Sequence, residues 1–168
     1  MSNEYKIYLW IAGESNSLKN YLNTVKNLKA KNIEAKNFIE ALIPIPRVSS
    51  KRNMNPVDQN KNMKIMSALS EENLDELKLQ HYGFSYYEGG VSLWASLING
   101  NSEDRILYEI ITKGTPRFLA FQKISKMFPD LSFKVKYYCS DYSERGFEEI
   151  SQGKLTACVQ TCSQFHVE

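Results

Sequence analysis

The densest collection of reactive side chains in the sequence lies near its end, where Cys158 and Cys162 follow the carboxylates Asp141, Glu144, Glu148 and Glu149. Thiols joined by imidazoles at fixed short spacings would hold zinc, and a pair of carboxylates fixed against each other would supply acid and base. Neither pattern is complete. Cys139 is the one further cysteine, the two histidines are His81 and His166, and no spacing among these residues matches a zinc site. The carboxylates carry no helix-fixed interval, so solvated charge is their reading. His81 beside Tyr82 has no partner in view and reads as a loop histidine. Glycine-rich phosphate loops and nucleophile–base motifs are also missing. The expectation is a protein without enzymatic activity, metal or cofactor.

A different chemistry emerges from strand parity. In "YKIYLWIA", Tyr5 to Ala12, the residues Tyr5, Ile7, Leu9 and Ile11 alternate with Lys6, Tyr8 and Trp10. Phe133, Val135, Tyr137 and Cys139 alternate in the same way with Lys134, Lys136 and Tyr138. If Ile7, Leu9, Leu93, Leu97, Phe133 and Val135 face helices, then Lys6, Tyr8, Trp10, Trp94, Lys134, Lys136 and Tyr138 share the other side of the sheet. Aromatic rings interleaved with lysines can stack bases and hold phosphates. The Lys/Arg-Gly-aromatic octamer of RNA-recognition strands is, however, missing from Arg105 to Thr112. The reading placed ahead of base stacking is that this face contacts a protein, or is covered by the segment from Val48 to Leu79. A second basic group, Arg47, Lys51 and Arg52 with Lys61 and Lys64, suits an acidic partner or a solvated loop.

The elements that must position these residues follow from periodicity. After the first strand, Leu18, Leu22, Val25 and Leu28 mark an amphipathic helix, with Ser15 or Ser17 as candidate cap. Phe38 to Ile43 reads as a short strand or the end of a second helix, stopped by "PIPR". Val48 to Ser67 is polar and reads as exposed loop, and Ser70-Glu71-Glu72 opens a short helix to about Leu79. "VSLWASLI", a turn at Asn99-Gly100-Asn101 and "RILYEIIT" form a hairpin. Thr115 caps a helix that starts at Pro116 and ends before Pro129. Its following strand must cross over to lie beside the first. A final hairpin turns at Gln152-Gly153.

The chain of 168 residues fits one domain over residues 1–168, with an insertion at about 44–90. Its 21 Lys and Arg against 19 Asp and Glu leave a net charge of +2, which excludes the global electrostatic footprint of a duplex-DNA binder. The odd cysteine count and the lack of an apolar leader point to a reducing, cytoplasmic setting, and no apolar run is long enough to cross a bilayer.

The stretches "FIEALIPIPR", "YGF" and "GTPRFLAFQKISKMFPDLSFKVKYY" give the chain a further likeness: it resembles the YubB-type ferredoxin-like domain of uncharacterised phage, plasmid and bacterial proteins. "SLWASLI" stands where that family carries a Trp-Gly-Thr-Lys-Trp signature. The resemblance implies an α+β, ferredoxin-like βαββαβ sheet with a helical or loop insertion after the first helix and a C-terminal β-hairpin. It also implies a mobile-element accessory protein that binds a host protein, in an anti-defence role. The alternative partner is a single-stranded nucleic acid or nucleotide on the sheet face.

Overall fold

The computed structural model describes residues 4–45, 71–96, 105–114, 116–141 and 143–162. In chain order these form β1 (Glu4–Ala12), α1 (Ser15–Lys31), α2 (Phe38–Leu42), α3 (Glu71–Tyr82), β2 (Ser85–Ser96), β3 (Arg105–Lys113), α4 (Leu119–Met127), β4 (Ser132–Cys139), β5 (Glu144–Ser151) and β6 (Lys154–Cys162). The fold is of the α+β class, built on one sheet with the order β2-β3-β1-β4-β5-β6 and antiparallel pairing throughout.

The alternation in β1 is the reason the sheet has two unlike sides. Tyr5, Ile7, Leu9 and Ile11 are buried, and each meets a buried residue on both neighbours: Ile7 lies between Ile110 and Tyr137, and Leu9 between Tyr108 and Val135. Leu18, Tyr21 and Val25 of α1 and Phe121 and Ile124 of α4 close over this side. Burial of that many large apolar groups is the main force holding the layers together.

The crossover after α4 does bring β4 beside β1, with Val135 opposite Leu9. Leu131 is buried at the joint, and its amide donates to the Phe128 carbonyl at 3.1 Å. Phe128 is only half-buried and meets Tyr21 edge-on, with ring centroids 5.1 Å apart. It lines the rim of the core, because the helix has already ended at Met127.

Helix ends differ from their expected caps. Phe38–Leu42 is a helix, and Asn37 caps it by accepting from the Ile39 and Glu40 amides at 3.0 and 3.1 Å. α1 starts at Ser15 after Glu14, with neither Ser15 nor Ser17 acting as a side-chain cap. α4 starts at Leu119, and residues 116–118 are drawn into tertiary contacts instead of a first helical turn. The Arg117 amide donates to the Gly83 carbonyl at 2.8 Å, and Phe118 stacks on Phe121. Gly83 sits at φ +81°, and a Cβ there would lie 2.2 Å from the Arg117 carbonyl oxygen, so only glycine permits this approach.

The span 44–90 is not all insertion. α3 runs to Tyr82, past Leu79, and β2 begins at Ser85. Residues 46–70, which include Arg47, Lys51, Arg52, Lys61 and Lys64, lie outside the described residues, as do Leu97 and the turn at Asn99-Gly100-Asn101. The final hairpin turns at Gln152 and Gly153, both at positive φ, as a two-residue connection between twisted strands requires. The Gly153 amide donates to Ser125 Oγ at 2.9 Å, which fixes the turn to α4.

Candidate binding face

The side of the sheet opposite the helices collects the aromatic residues singled out by parity. Tyr8, in the middle of β1, has three ring neighbours: Trp10 at 5.9 Å, Trp94 at 5.9 Å and Tyr138 at 6.2 Å between centroids. Trp10 follows on the same strand, Tyr138 comes from β4 and Trp94 from β2. The four rings form a platform whose outer surface is accessible, with Trp94 64% exposed. α3 packs on β2 and α4, so the described part of the segment expected to cover this face lies elsewhere.

β2 reaches the platform through an irregularity. Its register with β3 shifts between Leu93 and Ala95, leaving Trp94 as the extra residue of a bulge. Leu93, expected to face the helices, is opposite the buried Tyr108 and yet 51% exposed, because it sits on the sheet's edge strand away from the packed core.

Charge surrounds the rings in pairs. Lys6 Nζ lies 3.8 Å from Glu109 Oε1, and Lys134 Nζ lies 3.6 Å from Glu149 Oε1. Lys136 is exposed beside them and faces Phe147 of β5 across the pairing. Glu109 and Phe147 belong to the face and were not marked by sequence, and Glu149 was marked only among the hairpin carboxylates, since their places on this face depend on cross-strand register. The hydrogen bond with Tyr138, then partial desolvation and the nearby Glu109 carboxylate, hold the Tyr8 hydroxyl well above the ordinary phenol range. It stays protonated and can act as a donor at any physiological pH.

The carboxylates near the last hairpin do not converge. Asp141 accepts from the Ser143 amide at 2.9 Å and from its hydroxyl, bonds that lower its pKa to about 2. Glu144 accepts from Tyr5 on the core side, Glu148 lies near Cys158, and Glu149 is on the aromatic face with Lys134. Among the described residues no three His, Cys, Asp or Glu are grouped as metal ligands would be. His81 lies in the last turn of α3 and not in a loop, and its carbonyl accepts from Lys123 Nζ at 2.9 Å.

A polar cluster joins α2 and α3 to the sheet. Asp75 accepts from Ser85 and from Lys113 Nζ at 2.9 Å, while Lys78, only 7% exposed, lies 4.0 Å from the Tyr86 ring centre. Glu40 accepts from the Tyr86 hydroxyl at 2.6 Å. Burial pulls the Lys78 pKa down against the opposing pull of Glu40 and Asp75. Every described buried side-chain donor and acceptor is satisfied, so this cluster binds the elements to one another.

Comparison with family models, with curated proteins and with solved structures finds no match to the chain. Among the described residues no helix is long and apolar enough to cross a membrane.

Proposed function

We propose that the protein is a binding module without catalytic activity, that its strands β2-β3-β1-β4 with α1 and α4 are a ferredoxin-like core extended by the β5–β6 hairpin, and that the aromatic face receives a single-stranded nucleic acid. The observation that carries this reading is the contact of Tyr8 with Trp10, Trp94 and Tyr138 on the side opposite the helices, with Trp94 largely exposed. Stacked bases gain from any such ring regardless of sequence, and Lys6, Lys134 and Lys136 stand where a backbone would pass.

A second reading is a protein partner, in keeping with a mobile-element accessory protein that blunts a host defence. The ion pairs Lys6–Glu109 and Lys134–Glu149 favour it, since they give the face mixed charge and lessen its attraction for phosphates.

Fluorescence anisotropy with a short labelled oligonucleotide separates the two. Micromolar binding that weakens with salt, by a slope of about −0.7 per phosphate contact, and that Trp10→Ala removes without unfolding the chain supports the first. Absence of binding, together with capture of a host protein from nuclease-treated lysate, supports the second.

A further inference from the structure

Lys136 divides the aromatic face in two. Its cross-strand partners are Tyr8 on β1 and Phe147 on β5, so the three side chains rise in one row from the same side of the sheet. Tyr8 belongs to the four-ring platform, whereas Phe147 is half-buried and has no ring contact among the described residues. Val159 of β6, 59% exposed, stands next to Phe147 in that row, and Arg145 and Glu149 flank Phe147 along β5. The charges are distributed unevenly around it. Lys6 and Lys134 are paired with Glu109 and Glu149, and Arg145 Nε donates to Thr161 Oγ1 at 3.3 Å. Lys136 is exposed and has no ion pair among the described residues, so its ammonium, between two aromatic surfaces, is the lysine of this face best placed to meet an outside anion.

We propose that Phe147 and Val159 form a second base subsite and that Lys136 contacts the phosphate between two bases, so that the ligand is an unstacked dinucleotide step crossing the sheet from β1 to β5. The inference rests on the reading of the platform as a single-strand site, and adds to it a place outside the four rings. Neighbouring strands are about 4.8 Å apart, which puts Tyr8 and Phe147 roughly 10 Å from each other across β4. Successive bases in a duplex strand rise by only about 3.4 Å. Bases on the two sides of Lys136 therefore cannot rest on each other, and each takes a protein surface in place of its neighbour. A ring gives such a surface to any base, and Val159 widens the one at Phe147.

Titration of tryptophan fluorescence in the full chain with two probes, thymidine monophosphate and the dinucleotide thymidylyl-thymidine, counts the bases held, since the second probe adds one nucleoside to the first. The dinucleotide is expected to bind about five- to hundredfold more tightly. Phe147→Ala should bring it down to the level of the mononucleotide and leave the mononucleotide's own affinity as it is, with the circular dichroism unchanged. Phe147→Leu keeps an apolar cover on the strand and should give the same loss, while Phe147→Tyr keeps a ring and should retain the preference. Lys136→Gln should weaken both probes and, with decathymidylate, lower the slope of log K against log salt by about 0.7. If decathymidylate binds and Trp10→Ala removes that binding while Phe147→Ala and Lys136→Gln change nothing, the single-strand reading stands and the second subsite is overturned. If neither probe nor decathymidylate binds, both fall. Equal affinity for the two probes, or a loss in Phe147→Ala that Phe147→Leu restores, also overturns the subsite.

Discussion

Both faces of the sheet are rich in rings, and they hold them differently. On the helical side Phe84, Phe118 and Phe121 meet at 5.4 to 6.5 Å between centroids, and all three are buried. On the other side Tyr8, Trp10, Trp94 and Tyr138 meet at similar distances and remain half-buried or exposed. The first set closes a core, while the second rests on a finished sheet. Aromatic contact alone therefore does not distinguish a packing role from a binding role; what lies beyond the ring does.

That contrast can be broken at several points. The largest effect is expected from Phe133→Ala, which removes a fully buried ring beneath the helices and should cost about 3–5 kcal/mol in a denaturant titration. Trp10→Ala and Trp94→Ala should each weaken oligonucleotide binding by about 1–3 kcal/mol in anisotropy while moving the unfolding midpoint little. If either tryptophan proves as costly to fold stability as Phe133, the two faces are not distinct in kind. Phe128→Ala tests the rim between them: a half-buried ring in one edge-on contact should cost roughly 1–2 kcal/mol, clearly less than Phe133.

The smallest effect concerns pH. Burial raises the Asp75 pKa, but the bonds from Ser85 and Lys113 outweigh it and hold the carboxyl below its ordinary value. A folded value below the unfolded one gives a contribution that is present above about pH 4 and is lost as pH falls through the folded value. Asp75→Asn should flatten the acid limb of the stability curve between pH 4 and lower values, as followed by urea titration at each pH. An unchanged acid limb would show that the Asp75 carboxylate contributes nothing to the helical side.

The sequence made the alternating strands legible because period-two burial is a local property. Ile7 and Leu9 against Tyr8 and Trp10 needed only the knowledge that one side of a strand is covered. The final hairpin was legible from Gln152-Gly153 for the same reason, as a turn with its own conformational demand. Features that depend on distant partners were not. Nothing local places Glu109 against Lys6, or Glu149 against Lys134, since both pairs rest on cross-strand register. The start of α4 was displaced because Arg117 bonds to Gly83, a contact between separate elements that outweighs the preference of Pro116 for a first helical turn. β2 was placed too late because its glycines and register shifts obscure its alternation.

The hydrogen bond from the Gly153 amide to Ser125 gives the C-terminal hairpin a shared fate with the rest of the chain. A hairpin attached only along one strand would open on its own, and its turn amide would exchange with solvent at the rate of a frayed end. Here the turn is moored to a helix whose other side carries Phe121 and Ile124 into the interior. Detaching it also withdraws Ile150 from burial, so β5 and β6 should open together with α4 and not ahead of it. The extension would then melt as part of the domain's own cooperative unit, and the Gly153 amide would exchange as slowly as those of the central strands.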